Sequence, residues 1–522
     1  MKWLVKQAIL WHRYLGIFFC LFFAIWFLSG VVMMYASMPE LTEADRLAHL
    51  AQLDLSTVRL SPSDAWAKLQ QSDSPLRITI GMVGARPVFR FFPASGKWIS
   101  VFADDGEVLR SLDPSTAVQV ATAYEKLPSR AMHVIRELPD VDQWTVDPTF
   151  RAYLPFQLVA AEDGNGTEYY VSEATGSVFL GTTGRSRFLA WCGAIPHWWY
   201  IRSLRANGPL WRGVMITASA WGIVMCIAGI TAGILRFSPS RRFRVPGHAN
   251  SYIPYAGWKR WHYYFAGFFG LFTLTWMISG FFTMTPGRWS PGPDPTEAEI
   301  RAFAGADLNP QAFRLAPAPA IRLFQRCLQP VELEMIIFEG QPYYLARDHG
   351  SEMRLLSGLG GSDTCFSEMP AHDLARAASR AAGNAAPLES TMLRAYDTYY
   401  YDYSHRKPLP IFRVRLTDSR HTWLYINPRT ALIQARYTNR SRYERWLWQG
   451  LHDLDFPFLY WHRPAWDLTV IILSVGGMAL IVTSIVLAWK YLLQSTKRNF
   501  RTALSLRVET KYRGKPTMGS RQ

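Results

Sequence analysis

Acidic side chains are scarce where this chain is most apolar, and cysteine is scarce throughout. Five cysteines in 522 residues are too few for a disulfide scaffold. Cys20 and Cys226 fall inside apolar runs and Cys192 just before one, so only Cys327 and Cys365 share a polar segment, where a disulfide and a pair of buried thiols both remain open. The clustered cysteines and carboxylates of a structural zinc site are missing. The interiors of the apolar runs hold no acid and no obvious helix break, the usual ingredients of a transport site at the bilayer midplane, and this sets a permease reading third. No small-x-small cleavage site follows the first run, so it reads as a retained span and not a signal peptide.

Four apolar runs are present, at about 14–35, 214–235, 263–284 and 466–487, each close to the roughly 20 residues that cross a bilayer as helix. The net charge of +16 is concentrated beside them: residues 1–13, 236–260 and 490–522 carry 18 Lys and Arg against one acid, Glu509. Basic residues flanking span ends mark the cytoplasmic face, which accounts for the charge without a nucleic-acid partner and puts both termini and the middle loop on the cytoplasmic side. The expected order is a first span in 1–36, an outside segment 37–210, a second span 211–236, a cytoplasmic loop 237–260, a third span 261–285, an outside segment 286–463, a fourth span 464–490 and a basic, partly disordered tail 491–522.

The chain is also internally repeated. Trp11, His12, Tyr14, Phe18, Phe19, Trp26, Ser29 and Gly30 recur 250 positions later as Trp261, His262, Tyr264, Phe268, Phe269, Trp276, Ser279 and Gly280. Further on the offset is 255, matching Arg151, Pro155, Tyr170, Arg185, Arg187, His197 and Trp211 to Arg406, Pro410, Tyr425, Arg440, Arg442, His452 and Trp466. Each half is span, outside segment, span, which describes two parallel repeats about an axis along the membrane normal.

Both outside segments read as α+β. Ser61-Pro62 with Asp64 signals a helix start, and β-rich stretches at 77–82, 87–92 and 97–102 lead into an Asp105-Gly106 turn. Asp113-Pro114 opens a helix to about Leu127, and 153–159 with 168–171 form a further strand pair. In the second segment the expectation is helix at 320–328, strands at 332–338, 342–346 and 353–356, and helix at 370–382.

Histidine carries the chemistry. His12 and His262 open equivalent spans, and His197 and His452 occupy equivalent places before the second and fourth spans, so a twofold between the halves aims each pair at one point. Two neutral imidazoles facing each other suit a metal held inside a flat macrocycle, and Gly16, Gly267 and Gly270 offer room for it. His462 is the second choice for the outer position, because its repeat partner is Asn207. A helix unbroken from His197 to Arg236 would be about 58 Å long at about 1.5 Å per residue, so the chain must turn near Asn207-Gly208-Pro209.

The W-H-R-Y-L-G at Trp11 to Gly16, the W-H-Y-Y at Trp261 to Tyr264 and the aromatic-rich segments around His197 and His452 resemble the PepSY-associated transmembrane family, in particular its FoxB-like and PiuB-like inner-membrane members linked to ferric-siderophore reduction. The resemblance implies a membrane α-helical fold with four transmembrane helices and α+β PepSY-like periplasmic domains. It also implies two b-type haems, ligated by His12 with His262 and by His197 with His452, and electron flow from a separate cytoplasmic or membrane donor to a periplasmic ferric chelate. The alternative is a non-redox PepSY scaffold that binds a periplasmic partner protein. Arg151, Arg185, Arg187, Arg406, Arg440 and Arg442 are candidates for a basic collar around the ferric siderophore, or for anchors to lipid headgroups. Tyr399 to Tyr401 and Trp144 are candidate aromatic faces.

Overall fold

The computed structural model describes residues 2–125, 131–350, 352–361 and 363–513. It divides into two compact units: a helical one taking in the chain up to Tyr35, Arg212–Pro286 and the chain from Leu447, and a sheet-bearing one of Ala36–Trp211 and Gly287–Trp446.

Four long helices, Lys2–Met33, Gly208–Arg236, Trp258–Thr283 and Ala465–Arg513, build the helical unit. All four are long and apolar enough to cross a membrane, so this is a multi-pass membrane protein. Phe19, Phe23, Phe27, Met225, Cys226, Met277 and Ile481 form the interior. Phe18, Leu21, Phe268, Leu271, Ile472 and Val475 stay exposed on the outside, as lipid-facing side chains do. Lipid offers no hydrophobic drive between helices, so close packing must hold them. Gly476 and Gly477 supply it: a Cβ at either would collide with the Phe269 or Phe27 ring. The fourth helix runs to Arg513, beyond the boundary at 490; 514–522 lie outside the described residues. At the other end of that helix, Asp467 is buried, accepts from Tyr35 Oη at 3.0 Å and pairs with Arg463.

In the sheet-bearing unit, the helix Pro62–Lys68 starts as the residues dictate, with Ser61 and Asp64 closing a capping box. Strands β1 (Arg77–Val83), β2 (Arg86–Phe92), β3 (Ile99–Phe102) and β4 (Val108–Leu109) follow as a meander, turning at Gly106 with φ 78°. The helix opened by Asp113 spans Pro114–Thr122, shorter than expected; 126–127 lie outside the described residues. Then come β5 (Met132–Leu138), β6 (Phe156–Ala161), β7 (Glu168–Ser172) and β8 (Ser177–Thr182), a four-stranded antiparallel sheet in chain order. A small hairpin, β9 (Phe243–Val245) with β10 (His248–Ser251), belongs to the helical unit. The later segment gives β11 (Glu332–Phe338), β12 (Gln341–Arg347) and β13 (Met353–Ser357). The helix Ala371–Ala381 precedes β14 (Pro387–Leu393), β15 (Ile411–Leu416), β16 (Trp423–Asn427) and β17 (Leu432–Tyr437), a second four-stranded sheet. Cys327 and Cys365 are joined by a disulfide, which resolves the open choice.

The two segments do not form separate sheets. β1 pairs antiparallel with β11, Thr79 opposite Glu334, giving one seven-stranded sheet in the order β13-β12-β11-β1-β2-β3-β4. The sequence boundaries 37–210 and 286–463 therefore enclose parts of one unit, and 447–463 packs with the helices instead. On one face of the seam, Glu334 accepts from Arg77 at 2.6 Å and from Arg347 at 2.5 Å, while Glu332 accepts from Arg347 at 3.3 Å and from both terminal nitrogens of Arg46. Burial would raise the Glu332 carboxyl, yet Arg46 and Arg347 hold it down to about 2.

A carboxyl depressed in the folded state gives stability that is complete above its unfolded value and is lost as pH falls toward the folded one. With Glu332 displaced from 4.5 to about 2, we predict that the sheet-bearing unit holds constant stability above about pH 5 and loses on the order of 3 kcal/mol between about pH 4.5 and 2. Glu332→Gln should cost about 3–5 kcal/mol at pH 7, because it leaves buried guanidinium groups unpaired, and should flatten that acid limb. Urea midpoints of the full-length protein followed by the β-sheet circular-dichroism signal check both; an unchanged acid limb in the variant would contradict the assignment.

Candidate cofactor site

Three histidines of the helical unit are held in the same way. His12, on the first long helix, has its Nδ1 at 3.0 Å from the Met225 carbonyl oxygen on the second. A carbonyl only accepts, so Nδ1 carries the proton and Nε2 keeps its lone pair. His262, on the third helix, places Nδ1 at 3.0 Å from Thr483 Oγ1 on the fourth, and that hydroxyl already donates to the Leu480 carbonyl at 2.6 Å. The hydroxyl proton is spent, so the imidazole must donate. His452 repeats the logic with Ser279, whose Oγ lies 2.9 Å from Nδ1 and donates to the Trp276 carbonyl at 3.0 Å. All three rings therefore present Nε2 as the lone-pair nitrogen, the arrangement that metal-ligating histidines adopt.

The structure brings His12 and His262 together, with ring centroids 6.0 Å apart and planes at 41°. A metal held between two imidazole nitrogens at about 2 Å each separates the centroids by about 6 Å. The donor set and the separation thus fit a group ligated by one histidine from each side. Among the described residues no cluster of three or more His, Cys, Asp or Glu side chains is placed to hold a metal ion.

Room at the site comes from a glycine that the sequence reading passed over. A Cβ on Gly229 would lie 2.5 Å from His12 Cε1 and 2.6 Å from its Nδ1, and Gly229 is the residue whose own N–H bonds the Met225 carbonyl in the helix. Two donors reach one carbonyl because the glycine between them has no side chain. Gly229 and Gly233 form a G-x-x-x-G within the second span, a signal that could have found it. Gly16 and Gly267 have open space around an added Cβ, and Gly270 has only Ala266, at 3.9 Å.

His452 follows a single π-helical turn, Trp446–Gly450, and is half-buried. Its backbone is fixed by the Trp276 indole, which donates to the His452 carbonyl at 3.0 Å, and by the Trp466 indole, which donates to the Asp453 carbonyl at 2.8 Å. His197 lies on the short helix Ala194–Trp198, ended by Trp199 with φ 53°. It belongs to the sheet-bearing unit and His452 to the helical unit. The chain turns between Arg205 and Gly208 as expected, Asn207 Oδ1 accepting from the Leu210 amide at 3.1 Å. His462 is exposed in the turn before the fourth helix.

Four of the six arginines singled out in the sequence are committed locally. Arg187 bonds Thr182 Oγ1 and the Gly166 carbonyl and pairs with Glu168, Arg442 bonds the His421 carbonyl over the Trp423 ring, Arg151 bonds the Ala206 carbonyl, and Arg406 pairs with Glu40. Arg185 and Arg440 are exposed. Of the aromatic candidates Tyr400 is buried and stacks on Tyr425, while the others are partly exposed: Tyr399 packs on Trp423 and Tyr437, Tyr401 lies beneath Arg445, and Trp144 packs against the cluster around Tyr170.

Four spanning helices joined to an α+β unit define a polytopic membrane protein. The sequence pattern of the PepSY-associated TM region matches residues 9–322, and the chain belongs to that family. No curated protein matches the chain.

We predict that nitrogen-15 shifts of histidine in the cofactor-free protein report Nδ1–H tautomers at His12, His262 and His452. Gly229→Val should disturb His12 alone. An Nε2–H tautomer at His12 would contradict the anchoring described above.

Proposed function

We propose that this protein is a di-haem oxidoreductase of the bacterial inner membrane, with both termini cytoplasmic, that passes electrons from a cytoplasmic-side donor to a periplasmic ferric siderophore or other ferric chelate. The observation that carries the reading is the His12–His262 pair, 6.0 Å between centroids with both Nδ1 protons anchored on neighbouring helices. A bound b-type haem supplies a reversible one-electron couple that no side chain in the bundle offers. The repeat, read as a pseudo-twofold, assigns His197 with His452 to a second haem, with His462 as the second choice for that position.

The residues have definable tasks. Met225 and Thr483 orient the inner imidazoles and make them better donors through Nδ1, and Ser279 does so for His452. Ser279 stands 17 residues beyond His262, about 25 Å along the helix at about 1.5 Å per residue. Phe19, Phe23 and Phe27 fill the bundle interior; the Phe27 ring lies 5.5 Å from that of Trp276, whose indole reaches the His452 carbonyl. This packing excludes water between the two levels. The net reaction moves one electron from a separate reductant to one ferric ion, which leaves as ferrous chelate. Of the six arginines first considered, the exposed Arg185 and Arg440 remain the best placed to meet an oxygen-rich chelate.

Haem quantification tests the ligands. His12→Ala and His262→Ala should each remove the same haem from the wild-type two, and His197→Ala and His452→Ala the other. Loss of the second haem in His462→Ala with retention in His452→Ala would transfer the assignment, and a colourless wild-type protein would overturn the redox reading in favour of a scaffold. Direction is tested in oriented liposomes: membrane-impermeant ferric chelates should oxidise the reduced haems rapidly when the sheet-bearing unit faces them. Oxidation only from the opposite face would remove the periplasmic acceptor.

A further inference from the structure

Along the seam of the seven-stranded sheet, the guanidinium groups outnumber by one the carboxylates placed among them. Along the seam four arginines, Arg46, Arg77, Arg90 and Arg347, meet three carboxylates, Glu43, Glu332 and Glu334. Arg46 is taken by Glu43 and Glu332, Arg77 by Glu334, and Arg347 by both buried glutamates. Arg90 has no acid. Only 4% of it is exposed, and its hydrogen bonds go to backbone, Nε to the Thr175 carbonyl at 2.7 Å and Nη2 to the Met82 carbonyl at 3.0 Å. Its Nη1 has no partner among the described residues.

Room has been made for this group. Arg90 lies on β2 directly opposite Thr79 of β1, and on that strand Gly81 passes beneath Nη1 so closely that any Cβ there would collide with it. A glycine inside a strand costs stability and marks a close approach. Burial pulls the guanidinium down to about 10, so it remains charged at neutral pH. Removing such a charge from water without a counter-ion costs several kcal/mol unless something compensates it.

Arg90 lines a cavity of about 130 Å³ together with the paired charges Arg46, Arg77, Glu43 and Glu332, the hydroxyls of Thr79, Thr175 and Ser177, and the rings of Trp98, Tyr153 and Phe179. Three guanidinium groups and two carboxylates meet there, a net excess of one positive charge, beside hydroxyls and three aromatic rings. We propose that this cavity is a binding site for a small organic monocarboxylate with an apolar or aromatic body, its carboxylate on Arg90 and its body against the rings. One unpaired guanidinium matches one negative charge, and a planar carboxylate suits the fork of a guanidinium. The volume excludes a whole ferric siderophore, so the site is separate from any chelate that the protein reduces, and the inference does not rest on the redox reading.

The test uses full-length protein in detergent micelles with 4-fluorobenzoate as probe, followed by its fluorine-19 line width against empty micelles. We expect saturable broadening that benzoate reverses and benzyl alcohol at equal concentration does not. Arg90→Gln should weaken binding by about tenfold or more, the worth of a charged hydrogen bond. Ser177→Leu, which fills the cavity from β8 and leaves the arginines in place, should abolish it. Absence of saturable broadening, equal competition by benzyl alcohol, or unchanged binding in a folded Arg90→Gln or Ser177→Leu protein would overturn the proposal. The alcohol comparison decides the matter on the wild-type protein even where a variant fails to fold.

Discussion

An imidazole taken into a helix bundle must find an acceptor for its proton, because a buried donor without one costs about 1–3 kcal/mol and a spanning helix has already used its carbonyls internally. The helical unit is arranged around that constraint. The second helix answers it by letting Met225 accept twice, which requires Gly229 to be bare. The fourth helix answers it with a hydroxyl, Thr483, that bends its proton back to Leu480 and turns its lone pairs outward. At the 255 offset Gly229 corresponds to Ser484, so the two halves meet one requirement by different means. Ring orientation, tautomer and the 6.0 Å separation all follow from where those acceptors sit.

In the sheet-bearing unit the equivalent constraint is charge. A seam between β1 and β11 brings Glu332 and Glu334 into the interior, and each is tolerable only while two arginines reach it, Arg347 with Arg46 at one and Arg347 with Arg77 at the other. Such a ladder is weak evidence for added stability, but it specifies register: a slip of one residue would turn both glutamates to the other face of the sheet. The excess positive charge at Arg90 is the remainder of that arrangement.

Much of this was legible in the sequence. The four spans, the strands from Arg77 to Phe102 and from Glu332 to Ser357, and the helix capped by Ser61 all follow from short-range signals, and the repeat pointed to His12 and His262 as a pair. The repeat suggested two like domains, whereas the pairing of β1 with β11 depends on contacts more than 250 residues apart that no local pattern encodes. The strands β14 to β17 were not read, although in β15 Phe412, Val414 and Leu416 alternate with Arg413 and Arg415 as a half-buried strand should. Gly229 and Thr483 were missed because their importance lies in what they permit on a neighbouring helix. The arginines upstream of His197 and His452 read as a surface collar, but four of them satisfy carbonyls and carboxylates nearby.

The shared seven-stranded sheet also has a consequence for how the chain is made. When synthesis has passed the second span, β1 is complete but its partner β11 is more than 240 residues further along, so the nascent chain carries a four-stranded sheet with a long, bare edge. Such an edge invites pairing with the wrong strand. Its proper closure waits until the ribosome has produced the third span and the residues through Phe338, which makes biogenesis of this protein a matter of sequence order: the early half must be kept apart from other chains until the late half arrives.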